Sequence, residues 1–404
     1  LAQAVKLSGT DPVGLMMALN SLILSLLLVP SSSQWLAASG VGWQKMDGLP
    51  PWKPHTGSIA APLSDGSMLL IAGQAGRHGG ATFDCFNCTN EVWRFEHKTA
   101  EWKDLSKDVP WDPRWGHSVV TKADDTVMLF FGCCEKGKPT VMLRDVWTFN
   151  PMKGVPWNKL ETQPPFEGIQ ATSAALTGNE IWFVGGWSQH RATLSHVVTF
   201  NVDTLKWTMK SPHGAAPWES RADHATAISP DGQWLVMFGG QSAKNGGRQW
   251  KRCEDTWRVK LEGYTVSAWE RIGDLPAARS SPGVMVLPSG WLLTMGGHWT
   301  PPTEVLEAKQ DDRKGMEEHH EATEFQSYND VVALDLNSMS KTWKVLETEA
   351  PWPSRDDEAV SVTKDDTILI FGGGTMYGGG GYHQDVWRLE KASRAYKLLQ
   401  TDEL

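Results

Sequence analysis

The chain has 404 residues, 40% of them hydrophobic and 21% charged, and a formal net charge of −9. That balance excludes a disordered chain and describes a soluble globular one with a well-buried core. The acidic sign also excludes nucleic acid as the partner, since phosphate binding needs a basic footprint.

In chain order, the first forty residues differ from the rest. Leu1 is not a start methionine, consistent with a reading frame opened upstream of Met16 or Met17. An apolar run from Ala18 to Val29 is followed by Pro30 and the small residues Ser31–Ser33. It is shorter than the roughly twenty residues needed to cross a bilayer. Residues 1–39 are therefore expected to be a secretory leader, cleaved after Ser33 or near Ala38–Ser39, with a buried helix as the other reading. At the far end, residues 401–404 read Thr401-Asp402-Glu403-Leu404, close to a retrieval signal of luminal endoplasmic-reticulum proteins except at Thr401. The expected address is the secretory pathway, either the endoplasmic reticulum lumen or secretion.

Between these ends, residues 40–400 repeat one pattern. Its clearest copy runs from Pro110 to Leu160: four short runs rich in Val, Phe, Thr and Trp, at Ser118–Val120, Val127–Phe131, Val146–Phe149 and Trp157–Leu160, separated by turn residues. A single four-stranded sheet cannot bury both faces and needs neighbours stacked beside it. Copies fall at about 51–105, 110–160, 164–210, 217–272, 276–347 and 351–399. Each carries a hydrophobic run ending in a turn (Gly73, Gly132, Gly186, Gly240, Gly297, Gly373), then Glu91-Val92-Trp93, Asp145-Val146-Trp147, His196-Val197-Val198, Asp255-Thr256-Trp257, Asp330-Val331-Val332 or Asp385-Val386-Trp387. A Trp opens most of the last runs (Trp102, Trp157, Trp207, Trp269, Trp343), with Tyr396 in that place in the sixth. Successive glycine turns lie about 54 to 59 residues apart, apart from one longer step into the sixth copy. Two conformational jobs explain the glycines: a turn free of the Cβ penalty, and close approach of the next sheet. The third-strand indole is expected to fill the wedge between sheets and the fourth-strand indole to cover its edge, so the 22 tryptophans are packing residues. Period-2 runs exclude the helical solenoids.

The order of hydrophobic run, Gly-Gly, Asp-x-Trp and Trp resembles the kelch repeat, and six copies resemble a six-bladed kelch β-propeller, an all-β fold of four-stranded antiparallel blades. The resemblance spans Gly42 to Leu399. The lone Gly42-Trp43-Gln44-Lys45 is expected to supply the missing fourth strand of the last blade, in competition with Tyr396–Leu399, so that no sheet edge stays open. The resemblance implies a ligand-binding face formed by the second-to-third-strand loops and the blade-to-blade loops around the channel mouth.

Those loops bring four arginines, Arg114, Arg221, Arg279 and Arg355, each just before an inner strand. A guanidinium ring there would suit an anionic group on a protein or glycan ligand. Equally, each arginine could pair with an acid of its own or the next blade, with Asp112, Asp223 and Asp356 near in sequence. His298 and Trp299 open the longest loop and join the candidate ligand face. Within that loop, His319, His320 and Glu321 are an unspecific metal possibility beside the reading of a solvated arm, and neither metal nor cofactor is expected.

Of five cysteines, Cys85, Cys88, Cys133 and Cys134 sit in the loops of blades one and two, as candidates for disulfides between them; a Cys85–Cys88 bridge is the rival. Asn87-Cys88-Thr89 is a formal N-glycosylation sequon. Copper radical oxidases of related propellers find a counterpart in His298 and Tyr382-His383 but lack the rest of their ligand set. The iron-dependent specifier spacing fails where Ala227 replaces histidine. A sialic-acid-mutarotase-like enzyme, needing an acid–base pair and an arginine at the mouth, is the runner-up to a binding module; oligomeric state is open. A ubiquitin-ligase adaptor role is not expected, since the residues ahead of the repeats read as a leader rather than an adaptor domain.

Overall fold

The computed structural model describes residues 42–75, 87–134, 141–190, 192–244, 249–299, 326–338, 341–375 and 381–398. Six antiparallel sheets follow one another around a central channel. Blade one has Ile59–Pro62, Met68–Ala75, Cys88–Glu96 and Glu101–Asp104 from inside to outside, with His55–Thr56 paired on the end of the second strand. Blade two has Ser118–Thr121, Val127–Phe130, Val146–Asn150 and Val155–Lys159; blade three has Ser173–Thr177, Glu180–Val184, Val197–Asn201 and Lys206–Ser211. Blade four has Ala225–Ile228, Trp234–Phe238, Asp255–Lys260 and Glu270–Asp274; blade five has Gly283–Val286, Trp291–Met295, Val331–Asp335 and Lys344–Glu347. In blade six, Ala359–Val362, Ile368–Phe371 and Val386–Leu389 are completed by Gln44–Lys45, which pairs Gln44 with Arg388 and Lys45 with Trp387.

The competition for that fourth place is decided at the N-terminal side. The rival segment is a short helix, α1, at Ala392–Leu398. Both ends of the repeat region converge on the same acid: the Trp43 indole and the Tyr396 hydroxyl each donate to Glu347 Oε1 at 2.9 Å. Glu347 is buried in the outer strand of blade five, and burial pushes its carboxyl above the ordinary range.

Six apolar clusters fill the six wedges between blades. Between blades two and three, for example, Phe130, Val146 and Phe131 meet Ile181, Phe183 and Phe200. The tryptophans divide the work differently from the sequence expectation. In four blades a buried indole precedes the inner strand and meets the indole at the fourth strand edge to face. The pairs are Trp52–Trp102, Trp111–Trp157, Trp218–Trp269 and, across the closure, Trp352–Trp43, with centroids 5.5 to 6.1 Å apart. The third-strand indoles Trp93, Trp147, Trp257 and Trp387 are only half-buried; each donates its Nε1 hydrogen to the acid two residues earlier, Glu91, Asp145, Asp255 or Asp385.

The glycine turns do what close approach demands. At Gly296, with φ +60°, an added Cβ would lie 2.8 Å from the Arg355 carbonyl of the next blade and would run into the Glu358 carboxylate. Its neighbour Gly297, φ +82°, faces Ser280 and Pro282 at the entrance of its own inner strand. The first glycine thus seats the next blade and the second seats its own.

Candidate functional site

The four arginines stand at equivalent places, yet they do not make an open cationic ring. Each guanidinium is 0% exposed and grips the acid of its own blade's third-strand triplet with two parallel bonds. Arg114 holds Asp145 at 2.9 and 3.0 Å, Arg221 holds Asp255 at 2.8 and 2.8 Å, Arg279 holds Asp330 at 2.7 and 2.7 Å, and Arg355 holds Asp385 at 2.8 and 3.1 Å. Two further donors are spent as well. One NH1 hydrogen goes to the carbonyl of the glycine turn (Phe131, Gly239, Gly296, Gly372), and Nε goes to the carbonyl two residues back. The cation also lies over an aromatic ring: Trp111, Trp218, Trp352 or, in blade five, Tyr328. Burial would raise the Asp145, Asp255 and Asp385 carboxyls, but the paired arginine outweighs it and holds them below the ordinary range. With four of its five N–H donors used and its surface fully buried, each guanidinium is closed to a ligand. These residues tie the blade-to-blade loop to the third strand, and their partners are not Asp112, Asp223 or Asp356.

What the arginines position is the mouth itself. Two residues after each one, and at the matching places in blades one and three, the chain turns left-handed: Gly57, Gly116, Ala171, Asp223, Ser281 and Asp357, all with φ between 49° and 65°. Their backbones join into a ring around the channel. Gly57 N–H donates to the Asp357 carbonyl, Asp357 to Ser281, Ser281 to Asp223, Asp223 to Ala171 and Ala171 to Gly116, at 2.7 to 3.1 Å. Below this ring lies a channel of about 460 Å³, lined by the inner strands of all six blades. Two of the six ring positions carry carboxylates and the other four are uncharged.

Asp223 accepts hydrogen bonds at Oδ2 from the Trp187 indole at 2.9 Å and from the Gln241 amide. Gln241 in turn accepts from Arg252, whose other terminal nitrogen reaches His298 Nε2 at 2.8 Å. Since arginine only donates, Nε2 accepts; the ring hydrogen then sits on Nδ1, 2.9 Å from Asp356 Oδ2. A polar belt therefore runs over blades three to six through Trp187, Asp223, Gln241, Arg252, His298 and Asp356. Asp357 is half-buried and bonds the Ser281 side chain. Burial, then the nearby Asp356 and Asp223 charges, push its carboxyl well above the ordinary range. Burial likewise drives Glu358 up to about 8 and, with the adjacent arginine charges, His117 and His224 down to about 3, so both imidazoles are neutral. Trp115 crosses Gly57 at the rim, and Tyr382 packs on Gly374 beside the Asp357 side.

Of the residues singled out in the sequence, His298 is in this belt, buried, and Trp299 follows it half-buried on a short hairpin strand paired with Gln326–Ser327. Cys133 is disulfide-bonded, its partner lying outside the described side chains together with Cys85 and Cys134. Cys88 is half-buried, and Cys85, its rival partner, lies outside the described residues. Asn87 is exposed. His319, His320 and Glu321, the leader and the last four residues lie outside the described residues. His383 Nε2 stands 3.3 Å from Thr375 Oγ1 and from the Ser354 carbonyl, and among the described residues no three His, Cys, Asp or Glu side chains are arranged to hold a metal. Asp357, Glu358, Gln241 and Arg252 are site residues that the sequence reading does not single out. Aligning the repeats on the arginine exposes Asp357, because only the fourth and sixth copies place an acid two residues later, as Asp223 and Asp357.

The architecture and its mouth define a closed six-bladed propeller with loops gathered over one end of the channel. A kelch-repeats domain model, described for KLHDC2, KLHL20 and DRC7, matches residues 58–297, more than half of the chain. The chain belongs to the kelch-repeat family, whose domains generally serve protein interaction. It is 25% identical over 358 residues to acyl-CoA-binding domain-containing protein 4 of Arabidopsis thaliana, covering 85% of this chain and 46% of that one. Adagio-like protein 3 of Oryza sativa subsp. japonica is 24% identical across 57% of this chain and 36% of its own length. Multiple epidermal growth factor-like domains protein 8 of Rattus norvegicus is 26% identical across 50% of this chain and 7% of its own. The chain thus spans less than half the length of these curated relatives. The solved structure of YjhT superposes with a TM-score of 0.61 at 14% identity, covering 84% of this chain and 95% of that one, a likeness of fold.

Proposed function

We propose that this chain is a protein-binding propeller that takes its ligand on the face around the channel mouth, and that it works in the secretory pathway. The observation that carries the binding reading is the mouth's composition. Half-buried Trp115 and Tyr382 stand with Asp223 and Asp357 at the opening of a channel of about 460 Å³, and half-buried Trp299 follows His298 of the polar belt. Aromatic bodies next to a few oriented polar groups are what binding hot spots are built from. Family membership favours a protein ligand over a small substrate. The apolar run at Ala18–Val29 and the terminal Thr401–Leu404 support the secretory address.

Affinity capture tests the binding reading, with quantification of each captured protein on wild type, on Trp115→Ser and Tyr382→Ser, and on the outer-strand control Met209→Ser. A partner held by wild type and control but lost from both mouth variants supports it. Partners lost only from the control, or held equally by all four, overturn it. For the address, a fluorescent protein inserted after residue 41 reports the compartment; a cytosolic signal would sink that half of the proposal.

A further inference from the structure

We propose, resting on the protein-binding reading above, that the ligand group seated in the mouth is cationic: the ammonium or guanidinium of a lysine or arginine side chain, held by Asp223 and Asp357. These are the fourth and sixth members of the backbone ring, with only Ser281 between them. Glu358 follows Asp357 in the chain and also lines the channel, so three carboxyls lie on one arc while the opposite arc offers Gly57, Gly116 and Ala171. Arg355 is used on Asp385, and Arg252 spends its terminal nitrogens on Gln241 and His298.

A second feature points the same way. Glu358 lines the channel and is 6% exposed; its Oε1 accepts the Gly283 N–H at 3.0 Å, while Oε2 has no hydrogen-bond partner. A buried carboxyl oxygen without a hydrogen-bond partner is a place where a polar partner belongs. On Asp223, both the Trp187 and Gln241 bonds use Oδ2. Asp357, crowded by like charges, gains from any cation placed between it and Asp223. The Trp115 and Tyr382 rings supply the aromatic walls that suit an alkyl-ammonium or guanidinium stem. An anionic ligand would meet these carboxylates with no free guanidinium in reach among the described residues.

The test uses the full chain and three capped tripeptides, acetyl-Gly-Lys-Gly-amide and its norleucine and glutamate counterparts, titrated by calorimetry and by tryptophan fluorescence. The lysine peptide is expected to bind saturably, and at least about tenfold more tightly than the other two, the worth of one charge-assisted contact. Asp223→Asn and Asp357→Asn, shown to be folded by an unchanged thermal melt, each weaken it by about tenfold or more. Should Asp223→Asn fail to fold, Asp357→Asn and Asp357→Ser carry the test. Equal binding of the norleucine peptide, preference for the glutamate peptide, full affinity in the folded Asn variants, or no binding of the lysine peptide would each overturn the cationic assignment. None of these results touches the protein-binding reading, which stands or falls on the mouth-variant capture.

Discussion

At the scale of single residues, the arginines show how one side-chain type at one place can be read in opposite ways. Arginine before an inner strand is visible in the sequence, and so is the possibility that it pairs with an acid. What the sequence hides is which acid, because the partner lies 30 to 51 residues downstream, at the third strand, and reaches the arginine only once the sheet has formed. The geometry predicts a stability role. Arg221→Ala or Arg355→Ala leaves a buried aspartate without its cation and is expected to cost about 3–5 kcal/mol in denaturant unfolding, with ligand affinity unchanged in the folded fraction. Arg279→Lys recovers only part of this, since an ammonium cannot supply the two parallel bonds.

Acid and base act on stability through different groups. Asp145, Asp255 and Asp385 sit below their unfolded values, so the stability they confer is present above about pH 4 and lost as pH falls through their folded values. Glu358, raised to about 8, does the reverse. Its contribution is complete below about pH 4 and fades as pH climbs toward 8, because the unfolded chain has already released that proton. Asp357, raised by the same burial and by its acidic neighbours, adds to the alkaline decline. Thermal melts from about pH 5 to 8.5 should therefore show a falling melting temperature, and Glu358→Gln should flatten the fall. An equally steep fall in that variant would mean that Glu358 does not titrate in this range.

At the scale of elements, most of the fold is legible because its signals are local. Alternating apolar runs, glycine turns at a steady period and a tryptophan opening the last run are all written within single repeats, and each becomes a strand or turn where expected. The closure is harder, since it joins residues more than three hundred positions apart. The Trp43 segment wins because it supplies what blades one, two and four have at this place, an indole edge-on to the buried tryptophan before the inner strand, here Trp352 at 6.1 Å. The Tyr396 segment carries Ala392 and Ala395 on the buried face of α1, small residues that let a helix pack where a strand would stand off. A helix of seven residues gives too little periodicity to be told from a strand in sequence.

Trp43→Ala should therefore lower stability by about 3 kcal/mol, the cost of removing a large aromatic from a packed contact, with loss of the Glu347 bond included. Hydrogen exchange at Arg388 and Trp387, the two residues paired to Gln44 and Lys45, should rise in the same variant. Unchanged protection there would show that blade six does not depend on its borrowed strand.

At the scale of the whole molecule, the six blades agree in their walls and differ at the mouth. Function is harder to read than fold for that reason: the repeat signal comes from positions that are alike, while the site comes from the ring positions where Gly, Gly, Ala, Asp, Ser and Asp stand in turn. The molecule is acidic overall, with a formal net charge of −9, and its mouth is acidic as well. Field and site then act in the same direction on a basic partner. A charged cleft in a like-charged body raises the association rate of an oppositely charged ligand, and salt screens the effect beyond about 8 Å at physiological ionic strength. Association of a lysine-bearing partner should therefore slow as salt rises, with the dissociation rate changing much less. Asp357→Asn should weaken binding mainly through faster dissociation, because it removes a contact while altering the total charge by at most one unit. Stopped-flow or surface-based kinetics at low and high salt distinguish these effects. Association that is indifferent to salt would show that the acidic mouth does not guide the partner in.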